Sequence, residues 1–288
     1  ILGVVTDETG AVLPGVEVSV TNTETGQVRN TISNDVGIYR APNLSPGTYE
    51  VRAELPGFRA FVGTGIPAAV GQQITVDVTL QVGAVTEEIT VTGAGQLVNT
   101  TSGTMQALVD EVKVRELPLN GRDYLALATL QPGIIENRGQ RQTRISPQTG
   151  TGLNISISGG RPNSNVFRMD GIVINDHANS SPGSIGGANL GVDAIREFSA
   201  LTNTYSAEYG RASGGVINTV LRSGTNDVHG SGFFFHRNKS LDARNYFNPK
   251  GVPQFRRHQY GGTFGGPLAR DRTFLFGAYE KLTEFREK

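Results

Sequence analysis

The stretch Val192-Asp193-Ala194-Ile195-Arg196-Glu197-Phe198-Ser199-Ala200-Leu201 runs on through Thr202-Asn203-Thr204-Tyr205-Ser206-Ala207-Glu208-Tyr209-Gly210-Arg211-Ala212-Ser213 to Gly214-Gly215-Val216-Ile217-Asn218-Thr219-Val220-Leu221-Arg222-Ser223-Gly224. Two strand-like segments flank a connector rich in Gly, Ser and Tyr. The second, Val216 to Leu221, is mostly apolar, with Asn218 and Thr219 at its middle. Such a run suits a strand covered on both faces, although a short apolar run does not by itself exclude a helix. Gly214 and Gly215 just before it allow positive φ or a close backbone approach.

Tyr209-Gly210 and Gly214-Gly215-Val216-Ile217-Asn218 stand at a spacing that resembles the end of the plug domain in TonB-dependent outer-membrane receptors. There a strand leads into Tyr-Gly-x-x-x-x-Gly-Gly-Val-Ile-Asn, and the chain then enters a transmembrane β-barrel. Upstream, Ile155 to Arg161 and Asn165 to Ile174 alternate as strands, the second bending at Asp170-Gly171. They are similar to the plug strands that end in Arg-Gly and Asp-Gly-Val/Ile. Pro162 stands where the family has Gly, a departure. The plug motif implied by the resemblance takes in Arg161, Arg168, Asp170, Gly171, Glu197, Tyr209, Gly210, Arg211, Gly214, Gly215 and Asn218.

Length and composition set bounds. A chain of 288 residues has room for about two domains. Its 38 Gly are roughly twice an average share of about 7%. With aromatics at 7% and no Trp, this favours a turn-rich β protein over a helical enzyme. A formal net charge of zero offers no global basic field for nucleic acid. The absence of Cys excludes disulfides, thiolate nucleophiles and Cys-based zinc sites. No run of about 18 apolar residues occurs, so a membrane role would have to come through a barrel. Ile1-Leu2-Gly3-Val4-Val5 already reads as a strand interior, so both ends are expected to be cut edges of a longer protein.

Residues 1–82 alternate in short strands such as Val16 to Thr21, Thr48 to Ala53 and Gln73 to Leu80. Leu13-Pro14-Gly15, Asn34-Asp35-Val36-Gly37 and Ser45-Pro46-Gly47 punctuate them. About seven strands in this length predict a β-sandwich. Gly3-Val4-Val5-Thr6-Asp7, Pro14-Gly15-Val16-Glu17-Val18, Asp35-x-Gly37-x-Tyr39 and Pro46-Gly47-x-Tyr49 resemble the carboxypeptidase-regulatory-like domain, which is Ig-like or prealbumin-like. Zinc carboxypeptidase chemistry needs His and Glu ligands, and this segment has no His, so catalysis is not expected there. Tyr39 and Tyr49 are expected to pack in the core or at the sandwich edge.

Residues 83–95 read as a linker containing a β-prone run. Glu87-Glu88-Ile89-Thr90-Val91-Thr92-Gly93 resembles the TonB box, with Gly93 in place of Ala. The other reading of the run is a last sandwich strand or a plain connector. Residues 96–222 are the plug by resemblance. Within them Leu108 to Leu117 and Tyr124 to Leu130 are partly helical, the first stopped by Pro118 and the second by Gln131-Pro132-Gly133. Leu117 to Tyr124 and the following helical stretch resemble the Oar-like subgroup. The loops 136–151 and 176–191 are, by the family's pattern, the substrate-side candidates. Residues 223–288 hold three segments of about ten residues, Val228 to Arg237, Arg257 to Gly265 and Thr273 to Lys281, separated by a long loop and the short turn Gly266 to Arg272. That fits tilted outer-membrane strands of about 9–11 residues, with Phe233 to Phe235, Tyr260, Phe264, Phe274, Phe276 and Tyr279 as girdle residues.

His177, His229, His236 and His258 show no ligand spacing along the chain, and no Gly-x-Ser-x-Gly elbow occurs, so neither metal, cofactor nor enzyme activity is expected. The reading is mainly β: an N-terminal sandwich, an α+β plug and the first strands of an incomplete transmembrane β-barrel. The resemblance implies a bacterial outer-membrane location with a periplasmic sandwich, TonB as partner, contact with outer-membrane lipid through the full barrel, and an unknown substrate. The alternative is a secreted or surface adhesion module whose sandwich binds carbohydrate or protein without transport. Three strands cannot close a barrel. This piece alone is therefore expected neither to insert nor to transport, to leave 223–288 mobile, and to leave Arg161 and Arg211 without barrel partners.

Overall fold

The computed structural model describes residues 1–83, 88–92, 105–117, 119, 122–136, 153–175, 179, 182, 190–205, 207–211, 213–244, 246 and 254–286. Strands dominate, and the fold is mainly β. Seven strands occupy residues 1–82: β1 (Leu2–Asp7), β2 (Glu17–Asn22), β3 (Val28–Ile32), β4 (Ile38–Arg40), β5 (Gly47–Glu54), β6 (Ala60–Ala68) and β7 (Val78–Leu80). They form two sheets, one ordered β4-β1-β7 and one carrying β3-β2-β5-β6. Every second residue of β5 is buried, as half-buried alternation predicts. Val5, Val18, Val20, Val51, Val78 and Leu80 fill the space between the sheets. Tyr39 and Tyr49 lie in this core, and their hydroxyls donate to the Val76 and Ser45 carbonyls at 2.7 and 2.6 Å. Gly37, at φ +72°, turns the chain where an added Cβ would sit 2.8 Å from the Val5 carbonyl oxygen. Of the strand expected over Gln73 to Leu80, only β7 forms a ladder, and Thr75 makes an isolated bridge to Leu2.

β8 (Glu88–Thr92) comes next, followed by β9 (Met105–Val109), α1 (Glu111–Glu116), α2 (Leu125–Ala128), β10 (Ile134–Glu136), β11 (Ile155–Ile157), β12 (Val166–Met169), β13 (Ile172–Val173), β14 (Ile195–Asn203) and β15 (Val216–Leu221). Their main sheet runs β13-β12-β15-β14-β9. β15 is a strand, which resolves the ambiguity of its apolar run. It lies parallel to β12 and antiparallel to β14. Successive side chains of β15 serve opposite faces. Ile217 joins a cluster with Val114, Leu125, Phe167 and Phe198, while Val216 joins Val166 and Leu201 with Tyr205 and Tyr209 against them.

Several boundaries differ from the sequence expectations for physical reasons. Leu108 and Val109 belong to β9 rather than to a helix, because they pair with Ser199 and Phe198 of β14. Asp110 then caps α1, its carboxylate accepting from the Lys113 amide at 3.0 Å. The second helix shortens to α2, its exit closed by bonds from Leu130 and Gln131 back to Leu127 and Ala128. The strand expected to reach Arg161 ends at Ile157, where Ser158 and Gly159 both take positive φ. Asp170 and Gly171, at φ 47° and 83°, split the 165–174 segment into the β12–β13 hairpin by a primed turn.

The last sheet is β16 (His229–Asn238), β17 (Phe255–Ala269) and β18 (Thr273–Arg286), all antiparallel. β17 and β18 run 15 and 14 residues, longer than the expected ten. The turn contracts to Arg270-Asp271-Arg272 because β17 continues through Pro267. Proline fits there because β16 pairing begins only at Gly265 and the ladder to β18 shifts beside it. By register Phe234, Tyr260, Phe264, Leu275, Tyr279 and Phe285 share one face, and all are exposed. On the other face Gln259 pairs with Glu280, and Phe233 meets a plug arginine. Apolar-out, polar-in alternation is the pattern of outer-membrane strands.

Candidate functional site

Of the seven residues that resemble a TonB box, five form β8, and Glu87 and Gly93 lie outside the described residues. β8 is not a loose linker. It pairs in parallel with β6, from Ala60↔Glu88 to Thr64↔Thr92, and becomes the terminal strand of the sheet β3-β2-β5-β6-β8. The last-sandwich-strand reading of this run is therefore what the backbone adopts. Its approach is tied down as well. The Arg59 amide donates to the Gln81 carbonyl at 2.7 Å, and the Gly83 amide donates to that of Gly57 at 3.1 Å.

The sandwich contacts the plug through charged groups. Arg196 binds Glu24 of the sandwich by two parallel bonds of 2.9 Å. A forked guanidinium–carboxylate pair of this kind fixes orientation as well as distance. Next to it in sequence, Glu197 is buried and accepts from the Val70 amide of the sandwich. Burial pushes its carboxyl pKa up. Between the two bodies lies a cleft of about 670 Å³. Arg168, Asp170, Gly171, Tyr209 and Asn218 of the plug motif line it, facing Asn43, Leu44 and Pro46 of the sandwich. The Arg168 guanidinium sits 5.6 Å from the Tyr209 ring centroid. Asp170 also accepts from the Leu221 amide at 3.1 Å, joining the hairpin turn to β15.

Gly214 and Gly215 are required by close approach. A Cβ on Gly215 would lie 2.3 Å from Ile157 Cγ2, and one on Gly214 would lie 2.4 Å from Asn165 Oδ1. Gly210 meets no such crowding: a Cβ added there would lie 3.6 Å from the Ala207 carbonyl oxygen. Asn165 escaped the sequence reading. It is fully buried, donates to the Ile155 carbonyl at 2.8 Å and accepts from the Gly215 amide at 3.0 Å, so it knits β11, β12 and β15. Asn175 adds a bond from its Nδ2 to the Asn165 carbonyl at 3.0 Å. A buried Asn read from sequence alone looks like any turn former.

Arg122 was missed too, and it joins the plug to the barrel strands. It pairs with Asp193, approaches Glu280 at 4.0 Å and stacks 3.9 Å from the Phe233 centroid. Arg161 and Arg211 are exposed, and neither makes an ion pair among the described residues. His236 and His258, apart in sequence, face each other across β16 and β17 with Nδ1 atoms 3.3 Å apart. Among the described residues no three His, Asp or Glu side chains gather as a metal site. The loops 136–151 and 176–191 fall almost wholly outside the described residues.

Comparison with known proteins gives these parts relatives. Residues 1–81 match the carboxypeptidase regulatory-like domain, and residues 220–288 match an outer membrane beta barrel domain. The chain is 29% identical over 286 residues to the TonB-dependent transporter Oar of Myxococcus xanthus, covering 92% of this chain and 25% of that protein. It thus spans about a quarter of the length of this relative. Among solved structures, the siderophore receptor PirA of Acinetobacter baumannii superposes with a TM-score of 0.45 at 23% identity, over 62% of this chain and 24% of that one. The outer membrane transporter YddB of Escherichia coli gives 0.46 at 16% identity, over 62% and 26%.

Proposed function

We propose that this bacterial outer-membrane protein, a homologue of the TonB-dependent transporter Oar, contributes the sandwich, TonB box, plug and first barrel strands of a receptor that takes up a substrate across the outer membrane. On this reading residues 1–82 are a periplasmic sandwich, 83–95 carry the box, 96–222 are the plug and 223–288 enter the barrel. TonB grips β8, and work transmitted from the inner membrane displaces the plug. The protein performs no covalent chemistry. The loops 136–151 and 176–191 are the substrate-binding candidates.

One observation carries the reading. The box residues Glu88 to Thr92 form an extended strand on the outside of a sheet, immediately before the plug in the chain. A strand in that position binds by main-chain pairing with a partner's edge. Affinity then depends on backbone donors more than on side chains. Successive amides along a strand point to opposite edges, so prolines at Thr90 and at Val91 together test both edges. We expect Val91→Ala to bind the purified periplasmic domain of TonB within about threefold of wild type, and at least one of Thr90→Pro and Val91→Pro to lose about tenfold or more. Wild-type affinity in both proline variants would sink the TonB-box reading.

A further inference from the structure

We infer that TonB docks on the edge of β8 that faces away from β6, so that the sandwich presents the box and the partner strand extends the sandwich's own sheet. The inference rests on the reading of β8 as the TonB-binding strand and adds where, and on what support, that strand is held.

A strand has two hydrogen-bonding edges. One edge of β8 is occupied by β6 over the whole run from Glu88 to Thr92. On the other, no strand lies among the described residues, and β8 ends the sheet. Natural proteins blunt such an edge with proline, lysine, a bulge or a covering segment. Glu88-Ile89-Thr90-Val91-Thr92 carries neither proline nor lysine, four of its five residues are β-branched, and its register to β6 shows no shift. Among the described residues it is therefore an unpaired, unshifted edge, a template for one more strand. The opposite end of the same sheet differs: β3 carries Arg29 within its ladder.

Support from β6 has a consequence for binding. A box in a disordered linker must be ordered when TonB arrives, and that ordering opposes association. Here β6 already holds β8 extended, and the segment ending at Gly83 is itself bonded to Gly57 and Arg59. The sequence Glu87-Glu88 makes this part of the chain acidic, which favours a partner edge bearing Lys or Arg. A second copy of this chain would bring the same acidic residues rather than basic ones.

The chain lacks cysteine, so an engineered pair is unique. Thr64 and Thr92 are Cα partners across β6 and β8. Neighbouring strands lie about 5 Å apart, within disulfide reach. In the Thr64→Cys/Thr92→Cys chain, binding of the TonB periplasmic domain would be measured oxidised and reduced, with light scattering to follow self-association. The expected result is an oxidised chain that binds within about threefold of the reduced one, as a monomer, because TonB uses the edge the tether leaves open. Loss of about tenfold or more on oxidation, recovered on reduction, would overturn the inference: TonB would then be taking the place of β6, while the box reading would stand. A tethered chain that dimerises and excludes TonB would overturn it in favour of self-pairing. Absence of binding in wild type, or insensitivity to both prolines, would remove the box reading itself and this inference with it.

Discussion

β14 and β15 in the plug and β16 to β18 after it are built from the same residue types, yet they treat them oppositely. Phe198 and Ile217 are fully buried, whereas Phe234 and Tyr279 are 65% and 63% exposed. The plug strands have partners on both faces: α1 and α2 on one, Tyr205 and Tyr209 on the other. Among the described residues the barrel strands meet the plug on one face, through Phe233 and Arg122, and present an aromatic stripe on the other. Soluble domains seldom expose apolar surface of that kind unless something covers it. The difference shows that alternation marks a strand, while the solvent on each face decides what the strand is for.

The largest test of this contrast is truncation of an aromatic on each side. Phe198 packs edge-to-face on Tyr124 with ring centroids 5.7 Å apart, inside the plug cluster. We expect Phe198→Ala to lower the plug's unfolding free energy by about 3–5 kcal/mol in denaturant titrations. Phe264→Ala, at a ring 58% exposed, should change it by less than about 0.5 kcal/mol. Equal costs at the two sites would mean that the barrel strands hide a core of their own.

A smaller effect separates the glycines. Gly215→Ala must push against Ile157 Cγ2 at 2.3 Å, an overpacking cost of about 1–3 kcal/mol. Nothing lies within 4 Å of a Cβ added at Gly232 in β16, so Gly232→Ala should stay within about 1 kcal/mol of wild type. Thermal melts of the two variants would check it, and a destabilised Gly232→Ala would show that this face is already covered.

The smallest expected effect is a slope. Burial holds the Glu197 pKa above its ordinary value, so the folded state binds that proton more tightly than the unfolded chain does. The resulting stabilisation is complete below the unfolded value of about pH 4.3 and is lost as pH rises through the raised folded value. Glu197→Gln keeps an acceptor for the Val70 amide and does not titrate. Between acid and neutral pH, wild type should therefore lose stability relative to Glu197→Gln in melts at stepped pH. A wild type that gains instead would mean the Arg196 charge outweighs burial at this carboxylate.

Local chemistry was legible in the sequence wherever its cause was local. Pro-Gly and Asp-x-Gly turns laid out the sandwich, the apolar run announced β15, and Asp170-Gly171 announced a bend. Gly214-Gly215 announced a close approach, although not that Ile157 and Asn165 would be what came close. Helix ends at Leu108 and Leu130 were misplaced because strand pairing with β14 and short turn closures override helical spacing. Tertiary structure alone decided that the plug-motif residues Arg168, Asp170, Tyr209 and Asn218 would gather in a cleft beside the sandwich while Arg161 and Arg211 stayed exposed. It alone brought Glu24 to Arg196, Val70 to Glu197 and Arg122 to Phe233, across separations no local pattern encodes. The run Glu88 to Thr92 shows the division most clearly. Its β-branched residues prescribed an extended backbone, but whether that backbone stood alone or on a neighbour depended on the open edge of β6, whose paired residues each lie 28 positions earlier in the chain.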